Sequence, residues 1–183
     1  MKKIVAIGAS NSRQSINKQL AQWAASQTGA EVKVLDLNDY EMPIYSVDRE
    51  KENVPQAAYE FKEALAEADG IVISFAEYNG SYTSAFKNIF DWLSRISRPV
   101  WMNKPMLLMA TSPGGRGGLN VLSTAKATFP YQGGEIAASF CLPSFQQNFS
   151  IEKGITNPEL HQEFETALTA FNKATDEKLS PVR

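Results

Sequence analysis

Short apolar runs and longer segments of helical periodicity alternate along this chain. Continuous apolar runs are typical of strands buried on both faces of a sheet, and residues 31–37 alternate and are rich in valine, as a strand also can be. The predicted strands cover 3–8, 31–37, 70–75, 105–111 and 135–142. The predicted helices cover 16–27, 55–68, 83–94, 119–128 and 157–174.

Strands that alternate with helices predict an α/β fold, in which a parallel sheet is covered by helices on both faces. The chain has no internal repeat, low-complexity segment or linker, so we expect a single domain over residues 1–183. The polar segment 38–53, which Pro43 interrupts, is predicted to be a loop.

The composition excludes several function classes. The formal net charge of −2 argues against nucleic acid as the main partner, because binding phosphates requires a basic face. No apolar run approaches the roughly 20 residues that span a bilayer, and the amino terminus lacks the apolar core of a signal peptide. The single cysteine cannot form an internal disulfide and suits a reducing compartment. We therefore expect a cytoplasmic protein.

Side chains that could perform difficult chemistry by themselves are scarce. His161 is the only histidine and Cys141 the only cysteine, so neither a Cys–His pair nor a zinc site is expected. We expect His161 at a solvated position of the last helix, and Cys141 as a small buried residue near the end of a strand. A protein with a ligand pocket and no catalytic cluster usually takes its chemistry from a cofactor.

Ligands of a doubly wound sheet bind beyond the carboxyl ends of the strands, where the first loop (residues 10–17) lies. This loop places hydroxyls, amides and one guanidinium around the start of a helix. Unpaired backbone N–H groups and the helix dipole make such a place suitable for a phosphate. The loop has neither a dinucleotide fingerprint nor a P-loop ending, which favours a terminal phosphomonoester. A polar turn with a serine cap is the alternative.

The second loop (residues 76–81) follows the third strand. Asn79 and Gly80 favour a turn with positive φ that exposes backbone groups, and Tyr78 and Tyr82 supply flat surfaces beside it. The alternative is a plain turn before a helix capped by Ser81, Thr83 or Ser84.

The third loop (residues 112–118) follows the fourth strand and contains four of the eleven glycines of the chain. Glycine at this density lets a backbone approach a flat ligand closely, or lets a loop move. Arg116 in its middle favours an anionic or aromatic partner. A flexible connection without a ligand is the alternative.

Together the three loops resemble those of the NAD(P)H-dependent FMN reductase family of flavodoxin-like proteins, which includes quinone, chromate and azo-dye reductases. The family's first loop commonly contains Gly-Ser-x-Arg-x-x-Ser-x-Asn. Ser12 holds the arginine position in this chain, and Arg13 follows it. The positions that match are Ser10, Ser15 and Asn17.

The other two loops extend the resemblance to residues 3–142. The second loop matches the family's Pro-Glu-Tyr-Asn-x-Ser except that Ala76 replaces proline. The third loop contains the family's Gly-Gly-Arg-Gly-Gly. All three motifs occur in the expected order and at the expected strand ends.

The resemblance implies a flavodoxin-like three-layer sandwich with strand order 2-1-3-4-5 and non-covalently bound FMN. It puts the phosphate on the first loop and the isoalloxazine ring between the second and third loops. It implies no metal and no catalytic side chain, because the flavin N5 carries the chemistry. The implied cofactor-binding residues are Ser10, Ser12, Arg13, Ser15, Ile16, Asn17, Ala76, Glu77, Tyr78, Asn79, Ser81, Ser112, Pro113, Gly114, Gly115 and Arg116.

The implied activity is a ping-pong hydride transfer from NADPH or NADH to FMN and on to a quinone, free flavin, azo compound or metal oxyanion. A flavodoxin-type electron carrier is an alternative, although such carriers are usually strongly acidic with a Thr-rich phosphate loop. A flavin-free α/β binding protein is another. The resemblance also implies a homodimer or homotetramer, for which Trp92 and Trp101 are candidate contacts between chains. Core packing alone is the alternative for the apolar stripe of the third helix.

Overall fold

A five-stranded parallel sheet forms the centre of the computed structural model, which describes residues 1–180. The last three residues of the expected domain, 181–183, lie outside the described residues. The order β2-β1-β3-β4-β5 is the one that the resemblance implies, and it reverses between β1 and β3. The strands are β1 (Lys3–Ala9), β2 (Glu31–Leu35), β3 (Gly70–Phe75), β4 (Lys104–Thr111) and β5 (Gly134–Leu142).

Helices cover both faces of the sheet, which confirms the three-layer sandwich. The helices are α1 (Ile16–Ser26), α2 (Val47–Glu52), α3 (Gln56–Glu67), α4 (Ser84–Ile96), α5 (Leu119–Thr128), α6 (Phe145–Asn148) and α7 (Pro158–Leu179). Helices α1 and α7 pack on one face, and α3, α4 and α5 pack on the other. A short antiparallel ribbon of β6 (Phe149–Ser150) and β7 (Gly154–Ile155) precedes α7. None of the helices within residues 1–180 has both the length and the apolar character needed to cross a bilayer.

Burial on both faces explains the continuous apolar runs of the inner strands. Ile4 and Ala6 of β1 pack into the layer of α1 and α7, whereas Val5 and Ile7 pack into the opposite layer. Successive side chains of a strand point to opposite faces, so an inner strand needs apolar residues at every position.

Several predicted boundaries are wrong, among them the end of α4, which continues two residues beyond 94 to Ile96. The second strand ends at Leu35 because the Asp36 side chain accepts a hydrogen bond from the backbone N–H of Asn38 (3.0 Å) and begins a 3-10 turn. The predicted loop 38–53 contains α2, which Ser46 caps. The last helix continues five residues beyond 174, to Leu179.

The two tryptophans that were candidate contacts between chains are wholly buried within this chain, which excludes that role and favours core packing. Trp92 and Trp101 are both 0% exposed. The indole N–H of Trp92 donates to the backbone oxygen of Pro43 (2.7 Å), and Trp101 stacks on Phe129 with 4.5 Å between ring centroids. The apolar stripe of α4 packs into the core instead of facing a neighbour.

Candidate functional site

The three loops meet in one cavity of about 260 Å³ at the carboxyl edge of the sheet. Ten residues that the resemblance implies line it: Ser10, Ser12, Ser15, Ile16, Asn17, Ala76, Glu77, Tyr78, Ser112 and Pro113. Six implied residues do not line it: Arg13, Asn79, Ser81, Gly114, Gly115 and Arg116. Three lining residues were not expected from the sequence: Gln14, Thr111 and Gln146.

The first loop leaves backbone hydrogen-bond donors free in residues that line the cavity. The Ser15 hydroxyl oxygen accepts from the backbone N–H of Lys18 (3.1 Å) and caps α1. The serine cap that was the alternative to a ligand site is therefore present in the same loop that lines the cavity. Over residues 1–180, the backbone N–H groups of Gln14, Ile16 and Asn17 have no hydrogen-bond acceptor. These free groups and the positive end of the helix dipole favour an anion.

Cationic side chains near the first loop lie outside the cavity. Arg13 is exposed and does not line it. The ammonium of Lys18 lies 2.6 Å from a carboxylate oxygen of Asp36. Burial alone would raise the pKa of Asp36, but hydrogen bonds from Lys18 and Asn38 and the charge of Lys18 outweigh it and lower that pKa.

Asn17 connects α1 to two strands beneath the cavity. Its amide oxygen accepts from the backbone N–H of Thr111 (3.1 Å) and from the hydroxyl of Ser74 (2.7 Å). Its amide nitrogen donates to the backbone oxygen of Thr111 (3.1 Å), and the residue is 2% exposed. The side chain therefore holds the start of α1 against β3 and β4 in the cavity wall.

The second loop forms the turn that its sequence predicts. Asn79 and Gly80 have φ values of 52° and 77°, and Tyr78 and Ser81 exchange two backbone hydrogen bonds of 3.0 and 3.1 Å. Of the three possible caps, Thr83 is the one used, since its hydroxyl oxygen accepts from the backbone N–H of Phe86 in the first turn of α4 (3.2 Å).

Glu77 joins the second loop to the helix that follows the third loop. One carboxylate oxygen accepts from the backbone N–H of Val121 (3.0 Å), and the other accepts from the amide of Asn120 (3.2 Å). Arg116 donates to the amide oxygen of Asn120 (2.8 Å). These contacts fix the spacing between the two loops.

The glycines of the third loop have two different roles. Gly117 has a φ of +59°, and a Cβ there would lie 2.7 Å from the sulfur of Cys141. A Cβ on Gly115 would meet no atom within 4 Å, and one on Gly114 would meet only the Ser112 hydroxyl, at 3.9 Å. The folded chain therefore requires Gly117, whereas Gly114 and Gly115 leave open space beside the backbone.

The remaining candidates for chemistry lie outside the cavity. Cys141 is half-buried near the end of β5, and burial raises the pKa of its thiol, which disfavours a nucleophilic role. His161 lies on α7 with 45% of its side chain exposed, and its ring centroid lies 6.5 Å from that of Trp23. In the described part of the chain, no three His, Cys, Asp or Glu side chains are grouped as metal ligands.

Comparison with known sequences identifies relatives among quinone and azo-dye reductases. A 2-hydroxy-1,4-benzoquinone reductase from Burkholderia sp. is 37% identical over 116 residues, which cover 63% of each chain. An NADPH azoreductase from Bacillus sp. (strain OY1-2) is 29% identical over 126 residues, 69% of this chain and 67% of that one. The first of these matches therefore spans less than two thirds of the relative's length.

Comparison of structures and a family model agree with this result. The flavoenzyme NAD(P)H:(acceptor) oxidoreductase FerB from Paracoccus denitrificans has the same fold, with a TM-score of 0.75 and 20% identity over 97% of this chain and 99% of that one. The model described as NADPH-dependent FMN reductase matches residues 2–146, which include all three loops. The chain belongs to the NADPH-dependent FMN reductase family.

Proposed function

We propose that this chain binds FMN in the cavity and uses NADPH or NADH to reduce a small acceptor. The convergence of the three loops on one cavity carries the proposal. Free backbone N–H groups at the first loop suit the phosphate, and the open space beside Gly114 and Gly115 suits a flat ring. The residues present therefore fit FMN.

The phosphate would lie at the start of α1. Its donors would be the free backbone N–H groups of the first loop and the hydroxyls of Ser10, Ser12 and Ser15. Hydrogen bonds to a charged group contribute about 1.5–3 kcal/mol each. Four or five of them would supply much of the roughly 8–12 kcal/mol that micromolar to nanomolar affinity requires.

The ring would lie between the second and third loops. The Tyr78 side chain is 53% exposed there, and Glu77 and the Asn79–Gly80 turn hold the loop in position. Within residues 1–180, the backbone N–H groups of Gly114, Gly115 and Arg116 have no acceptor. Such preorganised donors would offset negative charge near N1 and O2 of the ring.

Bound FMN supplies the redox chemistry, as the acceptor of a hydride and the donor of two electrons. The side chains of the cavity would bind and orient the cofactor without taking part in proton transfer. The one carboxylate among them, Glu77, is engaged in capping α5. With FMN in this cavity, nicotinamide and acceptor would occupy the same place at the exposed face of the ring in turn. This arrangement supports a ping-pong mechanism.

The acceptor that we propose is a quinone, free flavin, azo compound or metal oxyanion. The names of the two relatives, a benzoquinone reductase and an azoreductase, support the quinone and the azo compound. We propose a cytoplasmic homodimer or homotetramer that has neither nucleic acid nor membrane as a partner. The exposed apolar side chains of Ile44 (76%) and Val47 (60%) offer a surface for association.

Anaerobic mixing of the FMN-loaded protein with NADPH or NADH tests the proposal. We expect the flavin absorbance to bleach far faster than that of free FMN under the same conditions, and a quinone to restore it. Parallel lines in double-reciprocal plots would support the ping-pong order. A protein that takes up no FMN contradicts the cofactor, and FMN that neither nicotinamide reduces identifies an electron carrier instead.

A further inference from the structure

Neutral side chains form the end of the cavity that faces α1. The first loop contributes serine hydroxyls and the Gln14 amide to this end, α6 adds the Gln146 amide to the cavity wall, and no Lys or Arg is among the lining residues. Arg13 is exposed outside the cavity, and Lys18 is paired with Asp36. An anion at this end must therefore be bound by neutral donors and by the helix start.

Gln146 comes from α6, which lies outside the three loops of the family motifs. Its neighbours Phe145 and Phe149 are buried in the layer that α1 and α7 form. The ring of Phe149 also contacts Trp23 of α1 edge-on, with 5.7 Å between centroids. Helix α6 therefore belongs to the same layer as α1, the helix at whose start the phosphate is proposed.

Two backbone hydrogen bonds fix α6 to the third loop. The N–H of Ser144 donates to the backbone oxygen of Gly114, and the N–H of Phe145 donates to that of Ser112, both at 3.0 Å. Ser144 has a φ of 47°, a left-handed conformation that turns the chain from β5 into α6. The short helix thus presents Gln146 at a defined place in the cavity wall.

The Gln146 amide is free to bind a ligand. It makes no hydrogen bond with any other group of residues 1–180. A primary amide has two N–H donors, which can point to a phosphate oxygen. Gln147, the next residue, is equally exposed but does not line the cavity.

We propose that Gln146 binds the 5′-phosphate of FMN as part of a subsite without cationic side chains. This inference rests on the proposed function, because it concerns the same cavity. It assigns phosphate recognition to a residue beyond β5, in addition to the first loop.

Titration of the apoprotein with FMN and with riboflavin, followed by flavin fluorescence, tests the inference. We expect Q146A to weaken FMN binding about 10-fold, the effect of one hydrogen bond to a charged group, and to leave riboflavin binding unchanged. Q146E should weaken FMN binding further, because a carboxylate repels the phosphate. The matched control, Q147A, should bind both flavins as the wild type does.

Phosphorus NMR of bound FMN provides a second measurement that does not require riboflavin to bind. We expect the phosphate signal to shift in Q146A and to keep its wild-type position in Q147A. If Q146A shows an unshifted phosphorus signal and an unchanged FMN affinity, the inference is overturned. It is also overturned if Q146A loses FMN affinity and riboflavin affinity equally. Failure of the wild-type chain to bind FMN instead overturns the proposed function.

Discussion

The carboxylate of Glu77 accepts a hydrogen bond from the backbone N–H of Val121, with 3.0 Å between oxygen and nitrogen. This contact caps α5 from outside the helix, because Gly118 at the N-cap position has no side chain that could do so. A negative charge at this end of a helix is also stabilised by the dipole. A residue of the second loop thus holds the helix that follows the third loop.

Replacement of Glu77 should affect stability and binding together. We expect E77A to lower the free energy of unfolding by about 1 kcal/mol, as removal of an N-cap usually does. It should also weaken FMN binding, because the spacing between the two loops is no longer fixed. Urea unfolding and FMN titration measure the two effects, with E152A, at an exposed position of the ribbon, as control. Full FMN affinity in a destabilised E77A would contradict this account.

Removal of the Asn17 side chain should destabilise the apoprotein. N17A leaves the backbone N–H and oxygen of Thr111 and the hydroxyl of Ser74 without their partner. Buried groups without a partner cost about 1–3 kcal/mol each, so for these three groups we expect a total loss of about 3 kcal/mol or more. Urea unfolding without FMN measures it, and N53A, at an exposed position, is the control. A loss no larger than that of the control would show that Asn17 is not a structural connection.

Replacement of two glycines of the third loop by alanine should distinguish an effect on stability from an effect on FMN binding. G117A places a Cβ 2.7 Å from the sulfur of Cys141 at a φ of +59°, so we expect it to lose about 1–3 kcal/mol of stability. G115A meets no atom within 4 Å and should keep its stability within about 0.5 kcal/mol, while it binds FMN more weakly. Thermal unfolding and FMN titration distinguish the two variants. Wild-type FMN affinity in G115A would exclude a close approach of the ring.

Arg13 should act on a bound phosphate only through solvent. Because its side chain is exposed outside the cavity, we expect R13Q to weaken FMN binding by less than about 3-fold at low salt. The difference should vanish near 0.5 M salt, where the screening length is about 4 Å. Titrations at two salt concentrations measure this, with the exposed Lys153 changed in K153Q as control. A 10-fold loss that persists at high salt would instead indicate direct contact.

The central fold could be predicted because its information is local. The inner strands are buried on both faces, so an apolar run marks each of them. The path of residues 42–45 could not be predicted, since a distant side chain orders it: the Asn88 amide donates to the backbone oxygens of Met42 and Pro43 and accepts from the N–H of Tyr45. A local pattern does not contain such contacts.

The same distinction holds in the candidate site. The first loop is a local motif, and five of the six residues implied there line the cavity. Gln146 could not be found in this way, because it reaches the cavity through a segment that bonds to Gly114 and Ser112, about thirty residues earlier in the chain. The different tasks of Gly115 and Gly117 depend on the position of Cys141, which their sequence motif does not reveal.

The burial of Trp92 and Trp101 has a practical consequence for spectroscopy. Trp23 is the third indole of the chain, and solvent partly reaches it where it packs against Phe149 beside α6. A water-soluble quencher such as acrylamide would therefore quench the fluorescence of Trp23 and leave that of the other two tryptophans unchanged. The protein carries its own optical probe beside the segment that presents Gln146, and a movement of α6 on phosphate binding would change the emission without an attached dye.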